Sequence, residues 1–207
     1  TVTGRVLPVV YAELASAVRA LVREHDPVAV VGCGLWPGEP TIRLERFAVN
    51  VADFEIADNT GALVSDTVFA GAAVQARPSR LPLRAIEQAL LSAGIPARLS
   101  STAGTFLCNA AMYHFLDSCA AEVPCGFVHL PYLPEQVAEL LRDLRSRRAL
   151  EAHQRADLAS MSAETIERSV RIAVETTVSE IERAGKRRQR ERIELRRRVV
   201  DHQRDLR

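Results

Sequence analysis

Apolar and polar positions along the 207 residues switch between a period of two and a period near 3.6, and each switch marks an element. Arg5–Tyr11 (RVLPVVY) is a short β-rich run whose Pro8 suits a sheet edge or a strand end. From Ala12 to His25, Leu14, Val18, Leu21 and Val22 recur at helical spacing, and Asp26-Pro27 closes that helix. Val28–Gly32 is a continuous apolar run, as expected of a strand buried on both faces. Gly32–Gly38 (GCGLWPG) then reads as a loop at that strand's C-terminal end, the edge where open α/β sheets usually bind ligands.

Ile42–Ile56 is β-rich, but its alternation slips parity between Leu44 and Phe47, which predicts a bulge or a bend. Asp58-Asn59-Thr60-Gly61 is a turn. A helix is predicted from about Leu83 to Leu91, a break at Gly94-Ile95-Pro96 and a short strand at Ala97–Ser100. Phe106–Cys119 reads as a helix, Gly126–Leu130 as a strand and Glu135 to about Arg148 as another helix. Ala163 to about Arg183 is a further amphipathic helix. Strands alternating with helices predict an α/β domain with a mostly parallel sheet and helices on both faces.

Composition alters this picture in one place. The net charge is only +1, yet from Glu182 onward 11 Lys/Arg face 5 Asp/Glu, which leaves 16 against 21 in the rest. A mildly acidic body of residues 1–184 thus carries a basic tail, 185–207, read as a solvated helix or a disordered segment. Acids interspersed among the tail's arginines, with no aromatic residue, argue against nucleic-acid binding. The sequence shows no signal-peptide pattern and no apolar run long enough to span a membrane, so a reduced, cytoplasmic setting is expected.

Chemistry concentrates in Gly104–Gln136. Cys108 falls at the start of a predicted helix, where free N–H groups and the helix dipole would lower a thiol's pKa and could cradle an oxyanion. A buried structural cysteine is the competing reading. Cys119 and Cys125 read as structural, whereas Cys33 lies at the ligand-binding edge. No CxxC pair or metal-like spacing is present. His129 ends a strand and is placed to face a cleft as a base; His25, His114, His153 and His202 have weaker claims. A carboxylate to orient the imidazole could be Glu45, Asp53, Asp58 or Glu135, and periodicity does not choose among them. Gly32-Cys33-Gly34 matches neither a dinucleotide fingerprint nor a P-loop.

Over roughly Gly4–Arg183 the chain resembles the pyroglutamyl peptidase I (pyrrolidone-carboxylate peptidase) family of cysteine peptidases. The likeness is carried by GRVLPV (4–9), IRLERFAVN (42–50), the DN-G of 58–61, LP (81–82) and GIPA (94–97). Its two longest stretches are SSTAGTFLCNAAMY (100–113) and GFVHLPYLPEQ (126–136). The resemblance implies a three-layer α/β/α sandwich and a triad of Cys108, His129 and Glu45 that releases N-terminal pyroglutamate from peptides through a thioester. It implies no metal or organic cofactor, a cytosolic location and a homo-oligomer, often a tetramer. The family's opening strand and Phe-bearing, glycine-rich loop precede the stretch this chain matches, and that strand is expected inside the sheet. Glu39 and Glu55 stand where many family members carry arginine.

Overall fold

The structure is a computed structural model that describes residues 1–69, 74–147 and 158–205, with side chains through residue 191. In chain order the elements are α1 (Tyr11–His25), β1 (Val30–Leu35), β2 (Ile42–Glu45), β3 (Phe47–Val49), β4 (Ala76–Pro78) and α2 (Leu83–Ser92). They continue with β5 (Ala97–Ser100), α3 (Leu107–Ser118), β6 (Cys125–Leu130), α4 (Pro134–Ser146) and α5 (Ala163–Asp205).

The main sheet has the order β1-β6-β2-β5. β1 runs parallel to β6, with Gly34 opposite His129, and β2 runs parallel to β5. The central pair, β2 and β6, is antiparallel, with Arg43 opposite His129 and Glu45 opposite Phe127. Alternation along the strands divides the core in two. Cys125 and Phe127 pack with Leu14 and Val18 of α1 and the apolar side of α3, whereas Ile42, Leu44 and Val128 pack with Ile86 and Leu90 of α2 and Ala173 of α5. Helices therefore cover both faces, giving a three-layer α/β/α fold around a mostly parallel sheet.

The helices follow from their patterns. α1 buries Leu14 and Val18, one turn apart, and ends where Asp26 takes a left-handed conformation (φ 39°) and returns its N–H to the Val22 carbonyl. α3 is apolar almost all round because it lies between α1 and the sheet, and Ala110–Tyr113 are all buried. α5 packs on α2 through a stripe of small side chains, Ser169, Ala173 and Thr177, at four-residue spacing.

Five expectations are corrected. Arg5–Tyr11 is not a strand: among the described residues no strand pairs with it, and the Val10 carbonyl instead accepts from Glu13 and Leu14 in the first turn of α1. The Val28–Gly32 run is not buried on both faces. It opens an edge strand, with Val28 exposed and Val30–Gly32 half-buried. Gly32–Leu35 belong to that strand, not to a loop. The parity slip in Ile42–Ile56 is neither bulge nor bend but a change of sheet. β2 lies in the main sheet and β3 pairs antiparallel with β4 in a second, two-stranded one, with Arg46 as the joint. Finally, α5 does not stop near Arg183 but continues to Asp205, with Gly185–Glu191 exposed.

Candidate active site

The face of the sheet under α3 gathers the residues that can do chemistry. Strand alternation points Arg43 and Glu45 of β2, Phe127 and His129 of β6, and the bare glycines Gly32 and Gly34 of β1 to that side. Because β2 runs against β6, Glu45 sits opposite Phe127, diagonal to His129, within reach of a long side chain. His129 Nδ1 and Glu45 Oε1 are 2.8 Å apart, and both side chains are shut off from solvent (1% and 0% exposed). With Nδ1 engaged by the carboxylate, Nε2 is the ring nitrogen left to exchange a proton. The imidazole is further held by Trp36 and Phe127, whose ring centroids lie 5.0 and 5.1 Å away.

Cys108 is the second residue of α3, whose N-cap is Phe106. The helix start is pinned by the fully buried Asn109, whose amide accepts from Val49 N–H (2.8 Å) and donates to the Val49 and Val51 carbonyls (2.9 and 3.0 Å). That clamp ties α3 to β3 and sets the height of Cys108 over the sheet. The thiol lies directly above Gly34: a Cβ there would come within 2.7 Å of Sγ. Gly34 is paired with His129 across β1 and β6, so thiol and imidazole occupy neighbouring places on one face.

The thiol's electrostatics differ from the expectation for a helix N-terminus. Burial against the sheet pushes the Cys108 pKa up to about 11, and the nearby Glu45 carboxylate adds to the rise. Sγ lies on Gly34, where the sheet shields it from water.

The other sequence candidates separate cleanly. Asp53 and Glu135 are exposed, as is Glu55. Asp58 is buried and occupied elsewhere: it accepts from Tyr11 N–H at the start of α1 (2.8 Å) and from Thr60 and Ala62 in its own turn. Of the four carboxylates, Glu45 is the one bonded to His129. Cys33 points away from Cys108, on the opposite side of β1 from Gly32 and Gly34, and Cys119 and Cys125 are buried in the core under α1 and α3. His25 lies in the last turn of α1, and His114 packs on Phe69. His153 and the side chain of His202 lie outside the described residues.

Sequence reading put Gly34 and Trp36 in a segment at the ligand-binding edge without a role for either, and it missed Arg43 altogether. Arg43 donates from Nε to Glu45 Oε1 (3.0 Å), from Nη1 to Glu39 Oε1 (2.7 Å) and from Nη2 to Ser100 Oγ (2.7 Å). Its guanidinium carbon stands 3.7 Å from the centroid of the Trp36 ring. The one available signal is an arginine two residues before a glutamate in a β run, which puts both on the same face.

A thiol at a helix start above a buried imidazole–carboxylate pair, on an α/β/α frame, is the layout of a thiol-dependent hydrolase. The chain belongs to the pyroglutamyl peptidase family, whose model matches residues 1–180, and it is thus a cysteine-type peptidase. It is 40% identical over 182 residues to the pyrrolidone-carboxylate peptidase of Cupriavidus pinatubonensis, which covers 86% of this chain and 77% of that one. Identity to the pyrrolidone-carboxylate peptidase of Brevibacillus brevis is 37% over 178 residues, 84% of this chain and 76% of that one. Among solved structures, pyrrolidone carboxyl peptidase from Pyrococcus furiosus superimposes with a TM-score of 0.78 at 34% identity, over 87% of this chain and 83% of that one.

Proposed function

We propose that this chain removes pyroglutamate from the N-terminus of peptides by covalent thiol catalysis. Cys108 Sγ gives its proton to His129 Nε2 as it attacks the carbonyl carbon of the pyroglutamyl residue. The tetrahedral intermediate collapses to a thioester as the peptide nitrogen leaves, taking the proton back from His129. Water, deprotonated by the same imidazole, then releases pyroglutamate and returns the thiol. Glu45 holds the ring's tautomer and stabilises its charged form during each transfer. N–H groups at the start of α3 would meet the developing oxyanion.

The observation that carries this reading is the buried 2.8 Å contact between His129 Nδ1 and Glu45 Oε1 on the face that Cys108 covers. The high thiol pKa fits a base-assisted attack, in which the proton moves only once substrate is bound. The domain that does this is residues 1–184, with 185–207 an accessory tail, and the enzyme works as a cytoplasmic homo-oligomer. Among the described residues no helix is long and apolar enough to cross a membrane.

Hydrolysis of a pyroglutamyl–fluorophore amide, with and without iodoacetamide, tests the proposal. Cys108→Ala and His129→Ala should each lose at least about a thousandfold in kcat, and Glu45→Gln less. Full turnover in Cys108→Ala would overturn the mechanism. A well-folded wild-type protein that releases nothing would favour the alternative, a homologue that keeps the fold and these residues without a working substrate pocket.

A further inference from the structure

We propose that Arg43 is a positioning residue for the His129–Glu45 pair: its guanidinium fixes the Glu45 carboxylate, and its charge offsets that carboxylate beside the imidazole. This rests on the reading of His129 as the base.

The geometry is specific. Arg43 is itself buried, 5% exposed, and its fork is used on every side: Glu45 at Nε, Glu39 at Nη1, and Ser100 Oγ with the Thr102 carbonyl (3.2 Å) at Nη2. Its flat face lies on Trp36, and the Trp36 ring in turn touches His129. Arg43 and His129 therefore converge on the same atom, Glu45 Oε1, while Oε2 is buried with no hydrogen-bond partner among the described residues. Two donors on one oxygen compete. A buried carboxylate facing an imidazole alone would draw a proton onto the ring. A permanent cation 3.0 Å from that oxygen satisfies part of its charge and repels a second positive charge nearby.

A second shell of charge balances Arg43. Glu39 accepts from Arg43 and also from both Nε and Nη2 of Arg98 (2.8 and 2.6 Å). Among the described residues, Cys108 from α3 and Arg98 from β5 are the other titratable groups that feel the Glu45 charge. From β1 and β6 the neighbours are Gly34 and Phe127, which carry no charge. Removing the Arg43 cation should raise the pair's affinity for a proton, whichever atom carries it, and removing the Glu39 anion should lower it. A purely structural arginine predicts neither sign.

The test is an NMR titration of the His129 ring in the full chain labelled with 15N-histidine, assigned by loss of its signals in His129→Gln. Arg43→Gln should raise the imidazole midpoint by about one pH unit or more. Arg43→Lys, which keeps the charge, should stay near wild type, and Glu39→Gln should move the midpoint down. An unmoved midpoint in Arg43→Gln, or an equal rise in Arg43→Lys, would overturn the assignment. If Arg43→Gln does not fold, Glu39→Gln still decides, because a midpoint that stays or rises contradicts the charge argument. The acid limb of kcat/KM should follow the midpoint across the variants. Midpoints that shift as stated in a protein releasing no pyroglutamate would sink the peptidase reading while leaving the electrostatic one standing.

Discussion

Gly34→Ala is the smallest change that isolates the seat of the thiol. The residue lies in β1 without a left-handed backbone, so alanine fits its conformation. The added methyl would stand 2.7 Å from Cys108 Sγ and 3.0 Å from two atoms of the Phe127 ring, where ordinary contact begins at 3.4 Å. Sγ must therefore retreat by about 0.7 Å and the ring by about 0.4 Å. A thiol can do this by turning about χ1, which is cheap for the fold but ruinous for alignment. Overpacking costs about 1–3 kcal/mol, and the reduced freedom of the unfolded chain offsets about 0.4–1 kcal/mol of it. A misplacement near 1 Å is worth about a hundredfold in rate. The expected result is a thermal midpoint lowered by only a few degrees with kcat/KM down about a hundredfold on a pyroglutamyl–fluorophore amide. Activity within twofold of wild type would refute the placement of Cys108 over Gly34.

Three further predictions concern groups elsewhere in the chain and at the thiol itself. Alkylation of Cys108 by iodoacetamide in the free protein should climb about tenfold per pH unit past pH 9, because its pKa is raised to about 11; a plateau below pH 8 would indicate a preformed thiolate. The bond from Tyr11 N–H, followed by those within its turn, lowers the Asp58 pKa to about 2 from an ordinary value near 4. A depressed carboxylate pKa stabilises the fold above the ordinary value, and that contribution fades as pH falls through the folded one. The thermal midpoint of wild type should thus exceed that of Asp58→Asn at pH 6 and converge on it toward pH 2, and a constant gap would contradict this. Removing residues after Lys186 should leave the rate per folded site unchanged, because Gly185–Glu191 touch solvent, and a collapse in that rate would show the tail to be part of the site.

What the sequence discloses here depends on whether the information is local. The spans of α1, α2, α3, β5 and β6 are readable because their periods and breakers lie within each segment. The position of β1 is not, since an apolar run of five says nothing about which strands flank it. The parity slip near Arg46 is visible as a defect, but its meaning depends on β4, some thirty residues on. Cys108 and His129 stand out by position, at a helix start and a strand end. Choosing Glu45 among four carboxylates needs the antiparallel register of β2 against β6, which no periodicity encodes. Arg43 is hidden for the same reason: its partners come from a loop, from β5 and from its own strand.

The joint between β2 and β3 places Glu45 at the last residue of its strand, bonded to a histidine 84 positions away. The Arg43–Ser100 and Asn109–Val49 bonds span 57 and 60 positions. Contacts of such separation close late in folding, after local helices and turns have formed. During synthesis Arg43 and Glu45 emerge long before Cys108 and His129, so a nascent chain holds the first half of the site with nothing to fix its geometry. Recovery of thiol-dependent turnover should accordingly trail the return of helical signal on refolding, and a partly folded chain would have no means of acting as a peptidase.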